Sequence, residues 1–184
     1  MDLKLNREKL LDKLGERWLF EKKGVALYAL ILRKLAVLGF AQDYSPLENY
    51  ARQEKQHEEL LEDVIRKLGG SPHHRTPSQL LVEQEARAFE NIVNESDDPM
   101  HLLHVLLDAE LQDNASWELL VSLCKEAGEA ELTARFQGPL KQEIEHLDGV
   151  RAIVKRAALA DIAEGGPRSP TIRRLTKDEE PDET

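Results

Sequence analysis

The sequence predicts an all-α protein: an antiparallel four-helix bundle, built as two helical hairpins joined by a long, helix-containing crossover. Three observations carry this reading. The 184 residues are rich in Leu, Ala, Glu and Lys and hold only ten Gly and 5% aromatics, a composition that favours helix. Four long stretches space their apolar residues alternately by three and four, as a helix with one core-facing seam does. Finally, a short join, a long one and a second short one follow in the order that two hairpins with a single crossover require.

Each element has its own boundary chemistry. The first helix is expected from about Asn6 to about Leu38. The second opens at Ser45-Pro46-Leu47-Glu48, with Ser as N-cap, Pro in the first turn and Glu three residues on. It closes at Gly69-Gly70, ahead of Pro72. Thr76-Pro77-Ser78-Gln79 starts a crossover helix reaching about Val93, with Val82, Ala86, Phe89 and Val93 as its apolar stripe. The third long helix follows Asp97-Asp98-Pro99 and ends near Gly128. The fourth covers about Glu129 to Ala163, and Gly138-Pro139 within it predicts a kink or a break. The joins at residues 39–45 and around Gly128 are short and imply antiparallel hairpins. Residues 1–163 are thus assigned to the bundle. Residues 164–184 open with Gly165-Gly166-Pro167, lose the apolar pattern and read as a disordered tail.

Bulk properties exclude several function classes. A formal charge of −10 argues against nucleic acid as a partner, because phosphate binding needs a basic face. No apolar run approaches the ~20 residues that span a bilayer, so no membrane segment is expected. The N-terminus lacks the apolar stretch of a signal peptide, and the single Cys124 forbids an internal disulfide or a Cys-based iron–sulfur site. The expected compartment is the cytoplasm. Homo-oligomerisation is left open.

The chemistry sits in a repeat. Glu54-x-x-His57 and Glu143-x-x-His146 are 89 residues apart, and the same shift carries Glu21 onto Glu110. In the first helix the proposed seam is Leu14, Trp18, Glu21, Val25, Tyr28, Leu32 and Leu35. In the second it is Leu47, Tyr50, Glu54, His57, Leu61, Val64 and Leu68. Shifted by 89 these become Leu103, Leu107, Glu110, Asn114, Trp117, Val121 and Cys124, then Phe136, Pro139, Glu143, His146, Val150, Ile153 and Ala157. Four carboxylates and two imidazoles therefore stand at one level inside apolar stripes. Burying one unpaired carboxylate costs several kcal/mol, and two divalent cations would neutralise all four. The alternative is a polar core layer of protonated Glu or Glu–His pairs, which explains neither the repeat nor the match to a metal shell. Ligands of O and N without sulfur suit iron or manganese, and zinc less well.

With these residues in place, the chain resembles the ferritin-like di-iron carboxylate superfamily, in the ligand pattern of bacterioferritin and, more loosely, rubrerythrin. The resemblance covers roughly residues 7–160. It implies that Glu21 and Glu110 are terminal ligands, that Glu54 and Glu143 bridge two metals, and that His57 and His146 each bind one. It implies further that Tyr28 and Trp117 hydrogen-bond a ligand carboxylate. They are also candidates to donate electrons beside an oxidising centre, although seam aromatics are more often plain core. Gln53 and Gln142 are expected to orient the His side chains by accepting from Nδ1–H. Lys55 stands where such proteins carry a haem-binding Met, so haem is not expected. A Cys-x-x-Cys electron relay is absent, and the long crossover and the tail argue against a 24-subunit storage cage.

The expected function is that of a di-iron oxidoreductase activating O2 or peroxide, of ferroxidase or peroxide-scavenging type, with two Fe ions and an external electron donor. Mn or a mixed Fe/Mn pair is the metal alternative, which would suit a manganese catalase-like or substrate-oxidising enzyme. A non-catalytic iron-binding or delivery protein is the alternative of a different class. The remaining polar residues have blander expectations. Asp113 is expected to be a solvated surface residue, and Asn114 either a neighbour of the site or a packing compromise. His73, His74, His101 and His104 are expected at the surface, Cys124 in the core, and Ser169–Leu175 in a plain disordered terminus.

Overall fold

The computed structural model describes residues 6–39 and 45–163. Five helices and no strand occur among them: α1 (Arg7–Val37), α2 (Ser45–Lys67), α3 (Pro77–Glu95), α4 (Pro99–Glu126) and α5 (Ala130–Ile162). α1 packs on α2 and α4 on α5 as the two hairpins, and α1 also lies against α4, which closes the bundle. The α2–α5 edge is the loosest. α3, the crossover, lies across α1 and α4 on the outside. Among the described residues no helix is long and apolar enough to cross a membrane.

The boundaries follow local chemistry. Asn6 caps α1, its Oδ1 accepting from the Glu8 and Lys9 amides. Thr76 and Gln79 form a full capping box at α3 behind Pro77. Asp98 caps α4 by accepting from the Met100 amide. Gly128 takes φ +75° between α4 and α5, a left-handed conformation that costs a glycine nothing and turns the chain back within a few residues. Two expectations need correction. Ser45 is the first residue of α2 rather than its cap, and the rest of that hairpin join, residues 40–44, lies outside the described residues, as does the tail. α5 runs unbroken through Gly138-Pro139. Pro139 is buried in the bundle, so the packing of its flanking turns offsets the ~3 kcal/mol that an interior proline costs.

The core divides into two apolar clusters with the polar layer between them. One holds Tyr28, Ile31, Leu35, Leu47, Leu103, Leu106 and Val150; the other holds Leu14, Trp18, Leu61, Trp117, Cys124 and Phe136. The seam residues expected in α2 and α5 face this core. In α1 and α4 the seam runs differently. Ile31, Leu106 and Leu120 are buried, whereas Val25, Leu32, Leu107 and Val121 are only partly so. The true register in α4 is 103, 106, 110, 113, 117, 120 and 124, which puts Asp113 inward and leaves Asn114 half-buried. The reason is packing: α1 and α4 contact each other and α3 as well as their hairpin partners, so they bury a wider stripe than a two-helix seam.

One polar anchor holds the crossover down. Lys34 on α1 donates to the carbonyls of Val93 (2.7 Å), Asn94 (3.0 Å) and Ser96 (2.7 Å), at the C-terminal end of α3. A charged donor there satisfies carbonyls that helix α3 leaves open. Lys34→Met keeps the apolar stem and removes the donor. It is expected to lower stability by ~1–3 kcal/mol, read as a fall in the urea midpoint with the far-ultraviolet circular dichroism unchanged.

Candidate metal centre

Glu21, Glu54, His57, Glu110, Glu143 and His146 meet in the middle of the bundle, each no more than 2% exposed. Their donor atoms form two overlapping groups, within each of which all lie within 4.8 Å of one another. One group is Glu21, Glu54, His57 and Glu143; the other is Glu54, Glu110, Glu143 and His146. Glu54 and Glu143 are common to both. Ligand atoms placed ~2 Å from a common ion lie at most ~4 Å apart, so each group is a little wider than a single-ion shell and would close on an ion by side-chain shifts of under about 1 Å.

Both imidazoles are aimed by amides of the opposite helix. Gln142 Oε1 lies 2.7 Å from His57 Nε2, and Gln53 Oε1 lies 2.8 Å from His146 Nε2. An amide oxygen only accepts, so each Nε2 carries the proton and Nδ1 faces the carboxylates. The orienting role of the two glutamines holds, but through Nε2–H rather than Nδ1–H. His57 Nδ1 stands 2.8 Å from Glu143 Oε1 and 3.5 Å from Glu21 Oε2. His146 Nδ1 stands 3.1 Å from Glu54 Oε1 and 3.3 Å from Glu143 Oε2.

Glu110 and Glu21 are each held through Oε1. Tyr28 Oη donates to Glu110 Oε1 (2.5 Å) and Trp117 Nε1 donates to Glu21 Oε1 (2.7 Å). Residues 28 and 117 are themselves one repeat apart, so the two contacts are related by the bundle's internal symmetry. With both imidazoles neutral, as metal ligands are, what remains is a set of acceptors with nothing to accept from. Glu21 Oε2, Glu110 Oε2, both Glu143 oxygens and His57 Nδ1 are buried without a hydrogen-bond partner. Buried polar atoms are normally paired, and five unpaired acceptors converging on one place fit divalent cations.

Sequence reasoning missed Arg17 and misplaced Asp113. Both are buried, at 3% and 2% exposure. The Arg17 guanidinium donates to Asp113 Oδ1 and, at 2.8 Å, to Glu21 Oε1. It lies over the Phe20 ring, 4.7 Å from the centroid. A stretch of α1 read as 14, 17, 21, 24, 28, 31 and 35 has the same three–four alternation as the seam first chosen, and it contains Arg17. That arginine, inside an apolar stripe one turn before Glu21, was the available signal. Elsewhere the surface expectations hold. His73, His74, His101 and His104 are exposed, and Cys124 is buried.

The electrostatics are those of a crowded acid cluster. Burial, followed by the neighbouring Glu143, raises Glu54 and Glu110 well above the usual carboxylate range. Burial raises Asp113 as well, against the pull of Arg17. Glu21 goes the other way. Burial would lift it, but His57 and Arg17 together outweigh burial and hold it at about 2. Burial works against a charged His57, yet the adjoining Glu143 and Glu21 raise it to about 11.

These shifts set a direction for the metal-free protein. Glu54, Glu110, Asp113 and His57 have folded values above their unfolded ones, so each contributes stability that is complete below the unfolded value. That stability is lost as pH rises through the folded value, which for His57 is about 11. Glu21 opposes this only in acid, between 4.5 and about 2. The chelator-treated chain should therefore have a higher urea midpoint at about pH 5 than at about pH 8. A midpoint that rises between those two values would contradict the assignment.

No family model and no curated protein matches the sequence. Solved structures do match the fold. The ferritin of Chlorobium tepidum aligns with a TM-score of 0.67 at 19% identity, covering 95% of this chain and 96% of its own. A variant of PmFTN soaked in iron aligns with a TM-score of 0.68 at 14% identity, over 86% of this chain and 94% of its own. A second iron-soaked PmFTN variant gives 0.68 and 14% over 94% and 99%. The chain therefore has the ferritin-like helical-bundle fold, with a buried carboxylate–histidine cluster between its four long helices.

Proposed function

We propose that this chain is a di-iron carboxylate protein that activates O2 or peroxide, acting as a ferroxidase or a peroxide-scavenging oxidoreductase. The observation that carries the reading is the pair of overlapping donor groups with Glu54 and Glu143 in common. Such sharing suits two ions bridged by two carboxylates. Glu21 and His57 would complete one position, and Glu110 and His146 the other. The iron-soaked PmFTN variants, which share the fold, lend the choice of iron further support.

Two bound iron ions would supply Lewis-acid and one-electron redox chemistry; the chain supplies the rest. Tyr28 and Trp117 each occupy Oε1 of a terminal glutamate and leave Oε2 open toward the centre. Tyr28 keeps its proton for this task, because burial and then Glu110 raise its phenol well above the ordinary value. Gln53 and Gln142 fix the imidazole planes, which spares the reorientation that a loose ligand would need. The apolar clusters above and below the layer exclude water, so charge interactions inside are strong. Arg17 pairs with Asp113 and with Glu21 Oε1 at the edge of the layer, and the four glutamates are left to balance two divalent ions. Electrons to return an oxidised pair to the reduced state would come from an external donor.

Anaerobic Fe(II) titration is expected to saturate at two ions per chain, as the two donor groups imply. Admission of O2 or H2O2 should then oxidise the bound iron faster than free Fe(II) in the same buffer. Glu143→Ala removes a carboxylate common to both groups and should abolish tight uptake at both positions. Oxidation no faster than in buffer would count against the enzyme and favour an iron-binding or delivery role. Two Mn per chain in freshly purified protein, with catalase turnover, would favour the manganese enzyme.

A further inference from the structure

The donor set repeats after 89 residues, but what surrounds it does not. In the seams of α1 and α4 the counterpart of Asp113 is Gly24, and the counterpart of Arg17 is Leu106. On one flank of the centre the Arg17–Asp113 pair bridges α1 and α4. On the other flank Gly24 and Ala109 offer nothing larger than a methyl group, and a narrow cleft remains between α1, α3 and α4. Phe20, Leu27, Ala86 and Phe89 form its walls. Lys23 and Glu90, paired at 3.2 Å, also line it, and both are partly exposed. The crossover helix α3 supplies Ala86, Phe89 and Glu90, so it roofs a passage as well as linking two hairpins.

The cleft runs inward to Gly24. A Cβ on that glycine would stand 3.0 Å from Glu54 Oε2, so the glycine that lines the cleft is also the residue against which a carboxylate of the centre packs. The space is that of a water-sized molecule, and apart from the Lys23–Glu90 pair the side chains lining it are apolar. Beyond that pair the cleft gives a cation or a peroxide no side-chain hydrogen-bond partner in exchange for water. A neutral apolar diatomic gives up nothing on entering it.

We propose that the cleft between α1, α3 and α4 is a dioxygen subsite and the route by which O2 reaches the carboxylate centre, with Gly24 as its inner end. The proposal rests on the oxygen-activating reading above and narrows its oxidant to O2.

Two experiments on the full chain test it. In the first, the metal-free protein is held under O2 pressure and methyl-proton relaxation is measured by NMR. The methyls of Leu27, Ala86 and Ala109 should relax several-fold faster than the comparably buried methyls of Leu10 and Leu132 at the other end of the core. Ala86→Phe, which fills the cleft, should abolish the difference, and Phe89→Ala, which widens it, should increase it. Relaxation at Leu27 and Ala86 no faster than at Leu10 would overturn the proposal. In the second, Ala86→Phe loaded with Fe(II) should keep the wild-type stoichiometry and the wild-type rate with H2O2, but oxidise several-fold more slowly with O2. Equal rates with O2 in variant and wild type, or equal slowing with both oxidants, would also overturn it. A wild-type chain that takes up no iron would overturn the function proposed above, whereas the O2 relaxation measurement reads the cleft without any metal.

Discussion

Like charges crowded into an apolar core are the constraint on which the rest of this molecule turns. Four glutamates and Asp113 lie at one level of the bundle with a single guanidinium among them. Without further cations their mutual repulsion and desolvation would oppose folding. The neighbours of the layer are arranged around that difficulty. Tyr28 and Trp117 hold one oxygen of a glutamate each, Gln53 and Gln142 take the outward proton of each imidazole, and Arg17 joins Glu21 to Asp113. The buried acceptors left unpaired are those that point at the common centre.

This arrangement has a symmetric part and an asymmetric part, and they do different work. The symmetric part is the six-residue donor set with its Tyr28 and Trp117 donors, which makes two equivalent half-shells from two hairpins. The asymmetric part is the packing between α1 and α4. A buried ion pair bridges α1 and α4 on one flank, and a glycine and an alanine leave a cleft on the other beneath α3. Divergence at Gly24 and Asp113 thus allows access from one side while leaving the donor geometry intact.

Most of the architecture was legible in the sequence because its signals are local. The Thr76 capping box, the glycine at 128 and the Asp98-Pro99 start each set a boundary by chemistry contained in a few residues. The donor set was legible for a different reason, since a carboxylate in an otherwise apolar seam has few explanations. What failed was the phase of the seam in α1 and α4. Leu106 and Leu107, or Leu120 and Val121, are equally apolar, so a three–four pattern fits through either member of each pair. Only the third contact, with the crossover helix α3, decides between them. The wrong choice placed Asp113 outside and overlooked Arg17. At Pro139 the local rule predicted a kink or a break, and packing against the bundle keeps the helix continuous through it.

The central claim is that the acid layer is completed by divalent cations and by nothing else in the chain. It is tested most directly by thermal unfolding of the chelator-treated protein during stepwise addition of Mn(II), which binds oxygen and nitrogen ligands without the complication of oxidation by air. The account predicts a steep rise in the unfolding midpoint that levels off once both donor groups are filled, at two ions per chain. A midpoint indifferent to the metal would contradict it, because the buried carboxylates would then be balanced by protons and by their histidine neighbours alone.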